Sequence, residues 1–416
     1  MPEVCTVLIT GAAGGIGRAT ALRLARAGWR CVLVDADAGA LERLQAEWPV
    51  AASAPLALVA DLTDAARIEA LGAQLPPLDA LINNAGMSAG GAEVLAGLDD
   101  GAAQRLLALN LEAPARMVQA CTPHLRAGAR IVNVASGAGL RAIPWRGLYS
   151  ASKAGVIAQT RALARARPDW SVSALSPGFV RTELVQRLID SRRLDLRQVL
   201  SRIPMARMAE PEDMAEALAF LASPGARPCA GQLLVLDGGS SVYGGSQPLP
   251  PAQLPALPFD TPRALHCEAI ACAEWQAALA QLPAGETAGS IYPAVIDGRA
   301  LQAPAGGLLA AVLDAARAFR LQHARQASLT LLLPPAPADI DWQRAGDAAA
   351  ARMALATLAA EWGALGLRIN ALAPAGGCAP AACLPLLDYA SGARAQFLTG
   401  QVLFAGTGTR DGPETP

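Results

Sequence analysis

The sequence predicts an α/β protein: a doubly wound parallel sheet followed by a second, incomplete lobe of the same kind. Three observations predict it. Short apolar, β-branched runs alternate with helical stretches through the first half, a glycine-rich turn joins the first run to the first helix, and pieces of the first half reappear, altered, in the second. Val4–Thr10 is the first strand, and the helical Arg18–Ala27 follows its glycines. Strand Cys31–Asp35 precedes helix Leu41–Glu47, and strand Leu56–Asp61 precedes helix Ala65–Gln74. Strand Ala80–Asn84 leads into the long helical segment Ala102–Leu125, and strand Arg130–Ala135 into helix Ser150–Ala166. Ser171–Ser176 and Leu233–Leu236 complete the set. Strands this short and apolar, joined by helices, build right-handed crossovers with both sheet faces covered. The expectation is a Rossmann-type domain over residues 1–245.

The pattern breaks between Gly244 and Pro262, where glycine, serine and prolines read as an extended linker, residues 246–262. Residues 263–416 then carry helix Gly306–Gln326, strand Ser328–Leu333, helix Ala348–Trp362, strand Leu367–Ala373, helix Leu384–Ala395 and strand Thr399–Phe404. Ser173-Ala-Leu-Ser-Pro-Gly178 matches Asn370-Ala-Leu-Ala-Pro-Ala375, and Ala230–Gly238 matches Thr399–Thr407. The second copy lacks most of Val180–Met208. This reads as an internal duplication whose later copy has decayed.

Composition excludes several classes. Of 416 residues, 53% are hydrophobic and 17% charged, which supplies a core and argues against disorder. The net charge of −1 lacks the electrostatic footprint of a nucleic-acid binder or a polybasic membrane-surface protein. The most apolar stretch, Gly306–Phe319, is broken by Asp314 and Arg317 and is too short to span a bilayer. The N-terminus runs straight into a strand with no signal-peptide pattern. Eight cysteines without a C-x-x-C pair and three scattered histidines (His124, His266, His323) imply reduced thiols and no metal site. A cytoplasmic location is expected.

The chain has 33 arginines and a single lysine, Lys153. A lysine kept against that bias points to a compact ammonium that arginine cannot replace. It closes the segment Tyr149-Ser-Ala-Ser-Lys153, in which phenol and ammonium lie one helical turn apart on one face. The cation favours the phenolate, so Tyr149 can take or give a proton as hydride moves at the neighbouring carbon. Ser136, after the fifth strand, is placed to hold the substrate oxygen, and Asn110 to anchor a water relaying protons to Lys153. Upstream, Thr10-Gly-Ala-Ala-Gly-Gly-Ile-Gly17 lies between strand and helix, where Gly11, Gly15 and Gly17 let a pyrophosphate approach backbone N–H groups. Asp35 ends the second strand, where a carboxylate accepts bonds from ribose hydroxyls and repels a 2′-phosphate. No basic residue occupies 12–15, and Ala36 follows Asp35, so NAD is expected over NADP.

These motifs together resemble the short-chain dehydrogenase/reductase family over the first 245 or so residues. The matches are Thr10–Gly17, Asp61-Leu62, Asn83-Asn-Ala-Gly86, Asn110, Ser136, Tyr149–Lys153, Pro177-Gly178 with Thr182, and Asp237-Gly-Gly239. The resemblance implies a catalytic tetrad of Asn110, Ser136, Tyr149 and Lys153. It also implies a dinucleotide held by Gly11, Gly15, Ile16 and Gly17, with Asp61 and Leu62 flanking the adenine. Asn84, Ala85 and Gly86 would line the ribose, and Val180 and Thr182 would meet the nicotinamide carboxamide. Two departures are the short end of the helix after Lys153, Arg165-Ala-Arg-Pro-Asp169, and Ser173 in place of a commoner asparagine.

The second half resembles the family only in its later elements, with Arg344 and Ala348 standing where Tyr and Lys should be. About 50 residues separate the linker from Gly306, too few for the first three βα units, so this lobe should bind no dinucleotide and catalyse nothing. It retains the elements by which family members assemble. It is therefore expected to act as a built-in partner subunit covering Ala102–Leu125 and Ser150–Ala166, and the chain to form a homodimer resembling a tetramer. The substrate pocket should be built from Met87–Gly91, Gly137–Leu148 and Glu183–Met208. Leu140, Ile143 and Trp145 would form its apolar wall, with Arg141, Arg146, Arg192, Arg193, Arg197 and Arg202 available to an anionic substrate. The expected function is an NAD-dependent oxidoreductase interconverting a secondary alcohol and a ketone. The alternatives are a 3-oxoacyl-thioester reductase, acting on carrier-protein or coenzyme A thioesters, and a non-catalytic dinucleotide-sensing scaffold.

Overall fold

The computed structural model describes residues 4–88, 99–141, 143, 147–192, 194–245, 247–283, 291–335 and 342–406. In the first lobe β1 (Thr6–Thr10), α1 (Gly15–Arg26), β2 (Arg30–Asp35), α2 (Ala38–Ala46), β3 (Leu56–Val59), α3 (Ala65–Gly72) and β4 (Leu78–Asn83) follow in order. Then come α4 (Asp100–Leu107), α5 (Ala113–Cys121), β5 (Leu125–Val134), α6 (Tyr149–Ala166), β6 (Ser171–Pro177), α7 (Glu183–Asp190), α8 (Leu196–Leu200), α9 (Pro211–Leu221) and β7 (Leu233–Leu236). The second lobe holds β8 (Arg263–Glu268), α10 (Ala273–Leu279), β9 (Tyr292–Asp297), α11 (Leu308–Gln322) and β10 (Ala327–Leu332). It ends with α12 (Trp342–Trp362), β11 (Leu367–Pro374), α13 (Pro380–Ser391) and β12 (Val402–Ala405).

The first sheet has seven parallel strands in the order β3-β2-β1-β4-β5-β6-β7, which is the doubly wound arrangement. Val7, Leu8, Ile9, Leu81, Ile82, Ile131 and Val132 are fully buried because the central strands are covered on both faces. Helices α1, α2 and α9 pack one face, and α3 and α5 the other. Helix starts follow the chemistry of their first residues. Asp37, Asp64, Asp99 and Asp195 each accept backbone N–H groups at an N-cap, and Glu210 and Asp213 form a capping box around Pro211.

The expected single helix Ala102–Leu125 is instead two. A π turn, Ala108–Glu112, separates α4 from α5, and the Ala113 N–H donates to Ala108 O, five residues back. Pro114 supplies the reason, since it has no N–H for the carbonyl of Asn110 four residues earlier. Strand β5 also begins earlier than expected and carries a register shift against β4.

The second sheet is five parallel strands in the order β12-β11-β10-β9-β8. This is the order β7-β6-β5-β4-β1 of the first sheet without its two outer strands, β2 and β3. The stretch before Gly306, which carried no assigned elements in the sequence reading, holds β8, α10 and β9.

The lobe does not cover the expected faces. Among the described residues none of the second lobe joins the apolar clusters containing α5 and α6. The seam lies at α9 and the turn after it, where α13 packs against Pro224–Cys229 and Ala393–Ala395 against α9, in one core with α1. Phe220 and Tyr389, each the tenth residue of a helix opened by proline, stack with ring centroids 4.5 Å apart and planes within 3°. Gly238 N–H donates to Phe397 O at 3.0 Å, and Gly406 N–H to Pro228 O at 2.9 Å. Equivalent elements thus meet each other nearly reciprocally, the pattern of a two-fold contact. The physical reason is the apolar surface: Phe220 of α9 stacks on Tyr389 of α13, and Met214, Leu218, Leu384 and Leu387 are buried in the same core, each worth about 2 kcal/mol when buried.

Candidate functional site

The glycine turn sits between β1 and α1, as the sequence implied. Gly11 (φ +61°) and Gly15 (φ +46°) hold left-handed conformations, and a methyl group on Gly17 would collide with the Gly11 carbonyl. Only glycine lets the chain turn this tightly into the positive end of α1. Thr10 ties the turn to the end of β4. Its Oγ1 accepts from the N–H groups of Asn84 and Ala85, both at 3.0 Å, while Asn84 Nδ2 donates to Thr10 O and Gly11 O, both at 3.0 Å. Asn84 and Ala85 therefore brace the turn itself.

Asp35 lies at the end of β2. Its Oδ2 accepts from the Ala13 N–H at 2.9 Å and its Oδ1 from the Asp37 N–H at 3.1 Å, so the carboxylate is aimed at the glycine turn. Asp61 accepts from the Thr63 N–H (2.9 Å) and hydroxyl (2.8 Å), which hold its carboxyl below the usual carboxylate range. Leu62 beside it is buried.

At the head of α6 the paired side chains meet. Lys153 Nζ stands 6.0 Å from the centroid of the Tyr149 ring and donates to Val134 O at 2.9 Å. Lys153 is only 5% exposed, and burial pulls its ammonium down from 10.5 to about 8. Asn110, in the π turn, is fully buried. Its Oδ1 accepts from the Met87 N–H and its Nδ2 donates to Met87 O, both at 2.8 Å, with Ser152 Oγ at 3.3 Å. A methyl group on Gly86 would lie 3.3 Å from both Asn110 Oδ1 and Lys153 Nζ, so Gly86, Asn110 and Lys153 share one spot. Ser136 follows two residues after Val134, the acceptor for Lys153, and its Oγ accepts from the Ala138 N–H at 3.2 Å. Gly139 in the same loop lies against the α6 backbone, where an added methyl would be 2.8 Å from the Lys153 carbonyl carbon.

Three contributors escaped the sequence reading. Gly139 was legible only as one more glycine in Ser136-Gly-Ala-Gly139, and Ser152 only as a spacer between Tyr149 and Lys153. Glu183 was legible only as the first residue of the pocket segment Glu183–Met208, with no link to the glycine turn. Its Oε2 accepts from the Gly15 N–H at 3.2 Å, and the Thr182 methyl touches the same glycine, as an added methyl on Gly15 would be 3.0 Å from it. Thr182 also caps α7, while Val180 bridges to Ala209. A carboxylate thus rests on the N–H group that suits a phosphate. Glu183→Gln is expected to tighten dinucleotide binding roughly threefold to tenfold by removing that competing charge. Titration of NADH fluorescence checks this, and unchanged or weaker binding would contradict it.

Of the expected pocket, Leu140, Arg141, Ile143, Arg192, Arg197 and Arg202 are described, with Ile143 exposed. Trp145, Arg146, Arg193 and residues 89–91 lie outside the described residues. Among the described residues no group of His, Cys, Asp or Glu could hold a metal ion, and no helix is long and apolar enough to cross a membrane.

Sheet order, glycine turn and the cluster at α6 define a Rossmann-type protein of the dinucleotide-binding kind. The family model described as "Enoyl-(Acyl carrier protein) reductase" matches residues 11–241. The chain belongs to the short-chain dehydrogenase/reductase family. An uncharacterized short-chain type dehydrogenase/reductase of Sinorhizobium fredii is 38% identical over 243 residues, 56% of this chain and 43% of that protein. This chain therefore spans less than half of that relative. A 3-oxoacyl-[acyl-carrier-protein] reductase of Thermotoga maritima is 34% identical over 57% of this chain and 97% of its own length. A solved structure from Beutenbergia cavernae, described as an NAD(P)-dependent gluconate 5-dehydrogenase with NADP bound at low occupancy, aligns with TM-score 0.52 and 32% identity. It covers 57% of this chain and 96% of its own.

Proposed function

We propose that the chain is an NAD-dependent oxidoreductase interconverting a secondary alcohol and a ketone, with Tyr149 as the acid and base. The observation that carries the reading is the buried ammonium of Lys153 beside the Tyr149 ring, at the point where Asn110 and Gly86 converge. The glycine turn fits a dinucleotide, since Gly14 at the N-terminus of α1 faces open space while Gly11, Gly15 and Gly17 pack the turn too tightly for any side chain. When bound, the nicotinamide supplies the hydride acceptor. Tyr149 takes the hydroxyl proton of the alcohol in oxidation and returns it to the carbonyl oxygen in reduction. Lys153, as ammonium, stabilises the phenolate between those steps. Ser136 donates its hydroxyl to the substrate oxygen, and Asn110 fixes Met87 and the floor of the site. Asp35 favours NAD, because a carboxylate at the end of β2 would accept from ribose hydroxyls and repel a 2′-phosphate, and no basic side chain occupies 12–15.

A 3-oxoacyl-thioester reductase is the second reading, favoured by the likeness to the Thermotoga protein. Asp35 argues against the NADPH such a reaction would draw on. The test is a screen of secondary alcohols, β-hydroxy acids and 3-oxoacyl thioesters with both cofactors, following absorbance of the reduced form. Turnover of an alcohol with NAD, and affinity for NAD above that for NADP, supports the reading. Turnover only of thioesters with NADPH replaces it with the second. No turnover alongside intact NAD binding leaves the sensing scaffold.

We infer also that residues 263–416 serve as a non-catalytic built-in partner for the α9 face and not, as expected from the sequence, for α5 and α6. The reciprocal bonds at Phe397 and Pro228 support this. A chain ending at Gly245 exposes Phe220 and its neighbours. It is expected to aggregate or self-associate in sedimentation, and a soluble, fully active monomer would refute the role.

A further inference from the structure

The segment between β6 and α9 is an excursion with a closed neck. Val180 bridges to Ala209, Arg181 N–H donates to Ala209 O at 2.8 Å, and Ala209 N–H donates to Phe179 O at 2.9 Å. One limb of the excursion leaves the neck at the cofactor turn, through Thr182 and Glu183 on Gly15. The other limb, Ser201–Arg207, ends somewhere different: on the second lobe.

Four contacts seat it there. Gly363 of the second lobe packs directly on the backbone of Pro204 and Met205, so that an added methyl would strike the Pro204 carbonyl and come within 2.8 Å of Met205 N. Met205 N–H donates to Gly238 O at 3.0 Å, and Gly238 N–H to Phe397 O at 3.0 Å, a relay from limb to lobe. The Arg207 guanidinium stands 4.6 Å over the Phe397 ring while it holds Asp213 in a paired bond of 2.7 and 2.9 Å. The linker crosses the limb, with Leu249 N–H donating to Ser201 O and Gln253 N–H to Ala364 O, both at 3.0 Å. Between these contacts Ala206 adopts φ +52°, a left-handed conformation that costs a residue with a Cβ and persists where its surroundings impose it.

We propose that the second lobe is the seat of the substrate loop: by fixing Ser201–Arg207 it positions the 182–208 excursion over the active site and sets substrate affinity. The proposal rests on the dehydrogenase reading for the loop's role as a pocket wall. It explains why a lobe without cofactor machinery stays attached to this face. Gly363, Phe397 and Arg207 are positioning residues that act through the loop.

Gly363→Ala in the full chain tests it, with Leu329→Ala, in the middle of β10 and away from the limb, as a control that weakens the lobe without pushing on the loop. The expected result for Gly363→Ala is a KM for the alcohol raised about tenfold, with kcat and NADH affinity within about twofold, because the displacement misplaces substrate and not cofactor. Leu329→Ala should lower the unfolding midpoint and leave KM alone. Hydrogen exchange gives a readout independent of turnover: in Gly363→Ala, faster exchange should spread from residues 203–206 back along 183–200. Should Gly363→Ala fail to fold, Phe397→Leu, which removes the ring beneath Arg207, is read the same way. Unchanged KM, or faster exchange confined to 203–206, overturns the proposal. If the parent protein reduces no NAD with any alcohol, the dehydrogenase reading fails, and the spread of exchange still decides the anchoring.

Discussion

A Tyr149→Phe protein is expected to bind NAD as the parent does and to turn over a secondary alcohol about 10²- to 10⁴-fold more slowly. The substitution removes one hydroxyl and keeps the ring that stands 6.0 Å from Lys153 Nζ, so the head of α6 keeps its packing. What is lost is the hydroxyl that the proposed mechanism uses to exchange a proton with the substrate oxygen. NADH titration and steady-state rates on the same preparation separate binding from chemistry. A rate within about threefold of the parent would remove Tyr149 from the mechanism, because a proton transfer of this kind contributes at least about a hundredfold.

Lys153→Met should abolish turnover to a similar extent while making the protein more stable at pH 7. The parent holds this ammonium in a buried site, where it donates to Val134 O. Its pKa falls from 10.5 to about 8, which corresponds to a destabilisation on the order of 3 kcal/mol when the group is charged. The sign follows from proton counts. Between about pH 8 and 10.5 the unfolded chain keeps the lysine proton and the native protein does not, so native stability rises with pH across that window. Below about pH 8 both states are protonated and the cost is present in full. Methionine has no such proton, so the stability gap between variant and parent should be constant below about pH 8 and narrow towards pH 10.5. Losing the bond to Val134 O offsets about 1 kcal/mol of the gain. Urea denaturation of both proteins at pH 7, 8, 9 and 10 reads this directly, since all other titrations are common to the pair. A gap that stays level would show that burial does not perturb Lys153.

The sequence by itself determined the fold class of the first lobe and supplied the candidates for its site. Alternating apolar runs fixed a parallel sheet, and the spacing of Tyr149 and Lys153 placed both on one helical face, because these are local properties of the chain. The glycines between β1 and α1 were legible because their positive φ angles restrict the residue type. The break at Asn110 was within reach too, since Pro114 stands four residues on, but a helical period reads through a π turn without interruption. Only the tertiary structure decided the rest. Glu183 reaches Gly15 across 168 residues, and Gly363 meets Pro204 across a linker, so no local pattern announces either contact. The second lobe's docking face was also a tertiary decision. Apolar residues on α5, α6 and α9 look alike in sequence, and what distinguishes the α9 face is the stacking of Phe220 on Tyr389 and the bonds of Gly238 to Phe397 and Gly406 to Pro228, which exist only once both lobes are folded.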